Sequence, residues 1–227
     1  MRVLAIDTAL EACSAAVLDT EHAGASAHES LPMLRGHAEA LIPLIARVLE
    51  RARLTFSEID RIAVTTGPGS FTGLRVGISA ARGIALAAGK PAVGLSTLAA
   101  FAAPFIAADD TLPVVVAIDA RHDHVYLQVF GPGGRTLVTP RLVPLREALR
   151  AAATGAPRLT GTAANMLAAA WPEGVRPPAA VEQRQAPDID WVARLGAAAV
   201  ETGSPPKPLY LRAPDAQPQD AAQLARR

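Results

Sequence analysis

Short apolar runs alternate along the chain with segments of helical periodicity, and this alternation predicts an α/β protein. Residues 2–7 and 14–19 are apolar runs joined by a turn, which predicts a β-hairpin. Residues 37–53 carry apolar side chains every three or four positions, which predicts a helix with one strong apolar face and with Pro43 inside it. The segments that follow predict a strand over 62–65, a helix over 74–88, a strand over 91–95 and a helix over 97–106 capped by Ser96.

The second half of the chain repeats the opening of the first. Residues 112–119 and 125–130 predict two further strands, and the tetrapeptide Val-Ala-Ile-Asp at 116–119 matches Leu-Ala-Ile-Asp at 4–7. A short turn and a second strand follow each tetrapeptide, so the two halves are predicted to be structural duplicates. The rest of the chain predicts helices over 145–153, 162–170 and 191–201, a strand over 158–160, a loop over 171–187, a proline-rich extended segment over 204–212 and a mobile tail over 213–227.

Two such β-Asp hairpin units, each followed by helices, predict a duplicated fold of the actin, sugar-kinase and heat-shock ATPase kind (the ASKHA fold). We place its two sheet lobes, each flanked by helices, at 1–107 and 108–212. In that fold the Asp at each hairpin turn lies near the phosphates and metal of ATP. Here the turns after Asp7 and Asp119 lack the Gly that lets a backbone approach phosphate, and no paired Gly follows Gly134. The sequence therefore predicts the fold with a degraded nucleotide site.

Composition and charge exclude several classes of function. The 227 residues contain 22 basic and 21 acidic side chains, for a net charge of +1, which argues against a broad nucleic-acid-binding surface. A single cysteine, Cys13, leaves no internal disulfide and fits a reducing compartment. Neither a signal peptide nor a transmembrane helix is expected, so we expect a cytoplasmic protein.

A glycine-rich run at 66–77, Thr-Gly-Pro-Gly-Ser-Phe-Thr-Gly-Leu-Arg-Val-Gly, joins a predicted strand to a predicted helix. This is the shape of a phosphate-binding loop. Its spacing nevertheless fits neither common nucleotide motif, because Leu74 and Arg75 follow the last Gly of the loop where a P-loop requires Lys and Ser or Thr. We therefore expect a structural loop that makes a tight turn and close packing, with Ser70 or Thr72 as the helix cap. The residues of this predicted structural loop are Gly67, Gly69, Ser70, Thr72 and Gly73.

Histidines are too few and too scattered to predict a metal or catalytic centre. His37 stands alone on its helix, with Leu41 one turn further on, and one imidazole does not make a transition-metal site. His122 and His124 are two positions apart and predict a solvated turn. No His-Glu-x-x-His motif occurs, and no histidine is placed to activate Ser70 or Ser96. We expect no catalytic site and no metal site in this chain.

Taken together, these motifs resemble the TsaB (YeaZ) family of bacterial threonylcarbamoyladenosine biosynthesis proteins. The resemblance spans nearly the whole chain and is loosest over 142–202. It is carried by Leu-Ala-Ile-Asp-Thr at 4–8, Gly-His-Ala-Glu-Ala-Leu-Ile-Pro at 36–43, the glycine run to position 77, Gly-Leu-Ser-Thr-Leu at 94–98, Ala-Ile-Asp-Ala-Arg at 117–121 with Val-Tyr at 125–126, and Pro-Leu-Tyr-Leu-Arg at 208–212.

The resemblance implies a non-catalytic scaffold subunit of a tRNA-modifying complex. That complex transfers a threonylcarbamoyl group to the adenosine next to the anticodon in tRNAs that read codons beginning with A. The implied partners are a TsaD-type catalytic subunit of similar fold and a TsaE-type ATPase, with ATP and a metal ion on the partner subunits and tRNA met only through the complex. A homodimer of the isolated chain is possible, and no membrane is involved. The alternatives are an ATP-using enzyme of the same fold and a metallopeptidase-like relative.

The two helices over 37–53 and 74–88 have more apolar surface than one neighbour would cover. The second helix is small or apolar nearly all round and contains Gly77 and Gly83, each costing about 1 kcal/mol in a soluble helix relative to Ala. We predict that the pair forms a four-helix interface with a similar pair on the partner. The alternative is that both helices pack wholly within this chain. The predicted partner-binding residues are Leu41, Leu44, Ile45, Val48, Leu74, Gly77, Ile78, Ala81 and Ile84.

Overall fold

The computed structural model describes residues 1–22, 26–153 and 155–212, and within these residues the strands form two five-stranded sheets. The first sheet contains β1 (Arg2–Asp7), β2 (Ala12–Asp19), β3 (Ala27–Pro32), β4 (Arg61–Gly67) and β5 (Ala92–Ser96), in the order β3-β2-β1-β4-β5. The second contains β6 (Val114–Asp119), β7 (His124–Phe130), β8 (Thr136–Pro144), β9 (Arg158–Gly161) and β10 (Ala180–Gln183), in the order β10-β9-β6-β7-β8.

The two sheets have the same topology, which confirms the predicted duplication. In each sheet the first three strands along the chain are antiparallel neighbours, and the last two pair in parallel beside the first strand. Asp7 and Asp119 both end the first strand of their sheet. The chain therefore has the predicted duplicated α/β fold of the ASKHA kind.

Six α-helices flank the sheets in the described residues: α1 (His37–Ala52), α2 (Phe71–Ala88), α3 (Thr97–Ala108), α4 (Leu145–Ala152), α5 (Ala164–Ala169) and α6 (Ile189–Ala198). Helices α1 and α2 cover one face of the first sheet, where the largest apolar core of the described residues lies. Helices α4 and α5 cover one face of the second sheet. No helix in the described ranges is both long enough and apolar enough to cross a lipid bilayer.

The remaining two helices are exchanged between the halves of the chain. Helix α6, from the second half, packs against the first sheet through Val192 and Ala193. Helix α3, from the first half, packs against the second sheet through Phe101 and Phe105. The predicted ranges 1–107 and 108–212 thus each contain a helix that covers the sheet of the other range.

Two arginines at equivalent positions fix the exchanged helices. Arg61 begins β4, and its Nη1 donates to the carbonyl oxygens of Gly196 (2.9 Å) and Ala199 (2.8 Å) at the end of α6. Arg158 begins β9, and its Nη1 donates to the Phe105 carbonyl (2.7 Å) near the end of α3. Helix C-termini leave carbonyl groups without intrahelical partners, and each arginine satisfies some of them.

Three of the four edge strands of the described sheets escape the sequence prediction, which finds only β5 among them. No strand is predicted at β3 or β8, and β10 lies in the segment predicted to be a loop over 171–187. Strand β3 alternates half-buried and exposed residues, and β10 is exposed along its whole length. Such strands are held by backbone pairing to a neighbour rather than by an apolar run of their own, so periodicity does not reveal them. The mobile tail predicted over 213–227 lies outside the described residues.

Candidate functional site

A cleft of about 660 Å³ lies between the two lobes. Its walls come from the turn after β1, the glycine loop, the turn after β6 and the segment 209–212. In each sheet the carboxyl end of the first strand faces this region, which places the β-Asp turns next to the cleft. Clefts between lobes are common ligand sites, so we consider what the two turns and the loop can do.

Asp7 is fully buried and does not line the cleft. Its Oδ1 accepts a hydrogen bond from the Thr65 hydroxyl (2.5 Å) and one from the Ala9 N–H (3.3 Å), whereas its Oδ2 has no partner among the described residues. Burial raises the pKa of this carboxyl to about 6, and the two hydrogen bonds and nearby His37 only partly oppose that rise. This carboxyl therefore lies in the interior of the first lobe rather than on the surface of the cleft.

Asp119, at the equivalent position of the second lobe, is exposed and shapes a turn. Its Oδ1 accepts from the Arg121 N–H (2.7 Å), and its own N–H donates to the Thr162 hydroxyl (2.8 Å). Arg121 and the two residues after it have positive φ angles of 64°, 51° and 54°, an uncommon conformation for residues other than glycine. His122 is exposed and the ring of His124 is hydrogen-bonded to the His122 carbonyl (2.6 Å), which confirms the predicted turn.

His37 is the first residue of α1, as the sequence predicts. It is buried, and its Nε2 lies 3.2 Å from the Leu10 carbonyl oxygen. Within the described part of the chain no three His, Cys, Asp or Glu side chains lie close enough together to hold a metal ion.

The glycine loop packs directly on the backbone that follows β1. A Cβ at Gly69 would collide with the carbonyl oxygen of Ala9, and one at Gly73 would collide with that of Thr8. The Ser70 N–H donates to the Ala9 carbonyl (2.7 Å), and the Thr8 hydroxyl donates to the Gly73 carbonyl (2.7 Å). The two glycines therefore serve close packing, as the sequence predicts.

Two details complete this loop. Ser70 is the cap of α2, because its hydroxyl accepts the Gly73 N–H (3.3 Å), and Thr72 is exposed in the first turn. Gly67 has φ 117°, which strains any other residue, and an added Cβ would also lie 3.0 Å from the Leu209 carbonyl oxygen.

The residues predicted to bind a partner lie close together, but they face the interior of the first lobe. Eight of the nine are buried, and the ninth, Ile84, is partly buried against the same core. They pack with sheet residues such as Leu4, Ile6 and Val64. This corrects the residue assignment: while the lobe is folded, these side chains have no free apolar surface to offer. Partner binding by the two helices stays a prediction, and it would use their other faces.

The outward faces of α1 and α2 carry exposed apolar and small residues. Ile42 on α1 is 52% exposed and Leu86 on α2 is 86% exposed. Pro43, Ala46, Ser79 and Gly83 are exposed on the same two helices. A four-helix interface stays a prediction, and it would have to use these outward faces.

Sequence reasoning did not single out the end of the described chain as part of the cleft. Leu209, Tyr210, Leu211 and Arg212 all line it. The available signal was the run of prolines at 205, 206 and 208, which holds the segment extended but does not show where it lies.

Comparison with known proteins was made by sequence and by structure. Residues 32–183 match the family model described as "TsaD: tRNA N6-adenosine threonylcarbamoyltransferase". The Escherichia coli protein named "tRNA threonylcarbamoyladenosine biosynthesis protein TsaB" is 40% identical over 126 residues, which cover 56% of this chain and 53% of that protein. The match thus spans about half the length of this curated relative. An uncharacterised Mycobacterium tuberculosis protein is 35% identical over 216 residues, 95% of this chain and 94% of that one.

Solved structures give a similar result. A Pseudomonas aeruginosa protein described as similar to peptidase YeaZ superposes with a TM-score of 0.78 at 30% identity, covering 93% of this chain and 99% of that chain. YeaZ from the same organism superposes with a TM-score of 0.76 at 28% identity, covering 92% of this chain and 99% of that chain. A polyphosphate/ATP-glucomannokinase from Arthrobacter superposes with a TM-score of 0.51 at 13% identity, covering 87% of this chain and 98% of that chain. This is a likeness of fold alone.

Proposed function

The chain belongs to the TsaB (YeaZ) family, within the wider group that the TsaD family model describes, and on that basis we propose that it is a non-catalytic subunit in the synthesis of threonylcarbamoyladenosine in tRNA. The complex we propose contains a TsaD-type catalytic subunit and a TsaE-type ATPase, which supply the metal and the ATP. The chain meets tRNA through that complex, consistent with a net charge of +1.

One observation supports a scaffold role above the others, namely the packing of the glycine loop. In a nucleotide-binding loop the backbone after the strand stays open to phosphate. Here Gly69 and Gly73 lie against the carbonyl oxygens of Ala9 and Thr8, and carbonyl oxygens repel phosphate. The loop joins α2 to the first hairpin and thereby fixes the helix that would meet the partner.

The proposed partner surface is the outward face of α1 and α2. Exposed Ile42 and Leu86 provide apolar anchors, and the exposed small residues of the same two helices allow other helices to approach closely. A partner with a similar pair of helices would complete a four-helix contact.

The test is co-purification with the TsaD-type subunit of the same cell, together with a tRNA modification assay that contains the TsaE-type ATPase. We expect Leu86→Glu and Ile42→Glu to stay folded and to lose association, because each places a charge in the contact. Leu137→Glu, at a 45% exposed position in the second lobe, is the matched control and should bind normally. Normal association of both helix variants would exclude this surface.

The enzyme alternatives are tested on the purified chain. Nucleotide or peptide hydrolysis that disappears in Asp119→Ala, at an exposed residue that lines the cleft, would contradict a non-catalytic subunit. Absence of modification activity when only this chain is omitted, and its return on addition, would support the proposal.

A further inference from the structure

The segment after α6 contacts both ends of β4. At the start of the strand, Arg61 donates to the Ala199 carbonyl (2.8 Å) and pairs with the Glu201 carboxylate (2.6 Å). Near the end of the strand, the Leu209 N–H donates to the Thr66 carbonyl (2.8 Å). The first lobe therefore holds this segment at two points, one at each end of β4.

Between these points the segment is stiffened by its sequence. Prolines at 205, 206 and 208 fix the backbone in an extended form and reduce the entropy lost on ordering it. Pro206 is buried and packs over Gly94 of β5, where an added Cβ would lie 3.1 Å from the proline Cβ.

Beyond Leu209 the segment contacts both lobes within three residues. The Tyr210 ring packs on Phe71, at the start of α2, with 5.4 Å between ring centroids, and the Tyr210 hydroxyl accepts from Arg75 Nε (3.2 Å). The Arg75 guanidinium in turn lies 3.7 Å above the Phe71 ring. Arg212 then reaches the second lobe, where its Nη1 donates to the Ala120 carbonyl (2.9 Å) directly after β6.

We propose that residues 204–212 form a strap that ties the two lobes together across the cleft, and that release of the strap opens the cleft. The first lobe holds the strap through backbone and proline contacts. Its far end reaches the second lobe through a side chain, so the Arg212 end is where release begins. Tyr210 contacts Phe71 and Arg75, two exposed residues near the start of α2. Whether the strap is attached or released therefore depends in part on these two side chains. The strap belongs to the isolated chain and does not depend on the proposed partners.

The experiment measures the distance between the lobes in the isolated protein. Spin labels on cysteines introduced at exposed Glu50 of α1 and exposed Arg146 of α4 report the first and second lobe respectively. The native Cys13 is buried and its thiol pKa is raised to about 11 by burial, so it stays unlabelled. We expect one narrow distance in the unaltered chain. We expect a longer, broader distribution in Arg212→Ala and in Tyr210→Ala. In Arg212→Ala the open fraction should rise about 10-fold, because a charged hydrogen bond to the Ala120 carbonyl is lost.

Matched controls separate the strap from its surroundings. A chain ended after residue 212 keeps the strap and should keep the narrow distance, whereas one ended after residue 203 should show the open distribution. Lys207→Ala alters an exposed residue of the same segment and should change nothing. If the chain ended at 203 does not fold, the two point variants decide. Folded Arg212→Ala and Tyr210→Ala proteins with the unaltered distance distribution would overturn the proposal.

Discussion

Replacing Asp7 with Asn tests the buried carboxyl beneath the cleft. In the folded chain burial raises its pKa to about 6, against an ordinary value of 3.8. A group whose pKa is raised by folding contributes its full stability below the lower value, and that contribution is lost as the pH rises through the higher value. The stability of the unaltered protein should therefore fall as the pH rises from about 4 to about 7. An Asn side chain does not titrate, so the variant lacks this dependence on pH.

The size of the effect follows from the two pKa values. Their difference corresponds to about 3 kcal/mol at 1.36 kcal/mol for each pH unit. Asn keeps a carbonyl oxygen to accept from Thr65 and Ala9, but its amide N–H₂ would take the position of Oδ2, which has no partner among the described residues. Burying this amide group without a hydrogen-bond partner lowers the stability of the variant by about 1–3 kcal/mol, and this cost is the same at every pH. The prediction therefore concerns how the unfolding free energy changes with pH and not its value at any one pH.

The assay is urea unfolding of the unaltered chain and of Asp7→Asn, followed by circular dichroism at several pH values from 4 to 7.5. We expect the unfolding free energy of the variant, minus that of the unaltered chain, to rise by about 3 kcal/mol over this range. Asp19→Asn is the matched control, and its difference from the unaltered chain should stay nearly constant over this range. Hydrogen bonds from the Glu21 N–H and from Arg2 hold the Asp19 pKa below its usual range, so its stabilising contribution is fully present above pH 4 and is lost only at lower pH.

A difference that stays constant from pH 4 to 7.5 for Asp7→Asn, while Asp19→Asn behaves as described, would refute the reasoning. It would mean that the Asp7 carboxyl has an ordinary pKa in the folded chain and is reached by water.

Three further predictions concern stability and activity. Gly73→Ala should lower the melting temperature because its Cβ would collide with the Thr8 carbonyl, whereas Gly83→Ala in the same helix, with nothing within 4 Å, should gain about 1 kcal/mol; thermal denaturation compares the pair. Ser70→Ala should lose about 1 kcal/mol of helix capping and leave the modification activity of the complex nearly intact, and a stable, assembled but inactive variant would contradict a structural loop. Arg158→Ala should destabilise the chain by about 1–3 kcal/mol in urea unfolding, because the carbonyl oxygens of Asp109 and Leu112 lose the donor that Arg158 Nη2 provides, and an unchanged midpoint would show that water replaces it.

Charge substitutions on the inward faces of the two helices should disrupt the fold rather than a partner contact. Leu41→Glu, Ile45→Glu and Ala81→Arg are each expected to unfold the first lobe. All three positions are at most 1% exposed. Circular dichroism of the purified variants checks this, and a folded Leu41→Glu protein would show that the core accepts the charge.

Much of this protein follows from the sequence because it depends on neighbours along the chain. The strand-turn-strand units whose first strands end at Asp7 and Asp119, the cap at Ser70 and the helical periodicity of α1 are local patterns, and the structure contains all of them. The same applies to the glycine loop, where the residue types missing from a nucleotide motif are visible in the sequence itself.

Tertiary structure alone decided which surfaces meet. The sequence pattern of α2 shows that the helix is apolar on more than one side. Either a sheet of the same chain or a helix of another protein could cover those sides equally well. In the structure the first sheet covers Leu74, Ile78 and Ala81. Nor does periodicity reveal that α3 and α6 exchange sheets, or that Arg212 reaches Ala120 across 92 positions. Such contacts join segments far apart in the chain. Which segments come into contact depends on the apolar surfaces and carbonyl groups that the other segments leave uncovered. It is therefore a property of the whole packed chain and not of any one segment.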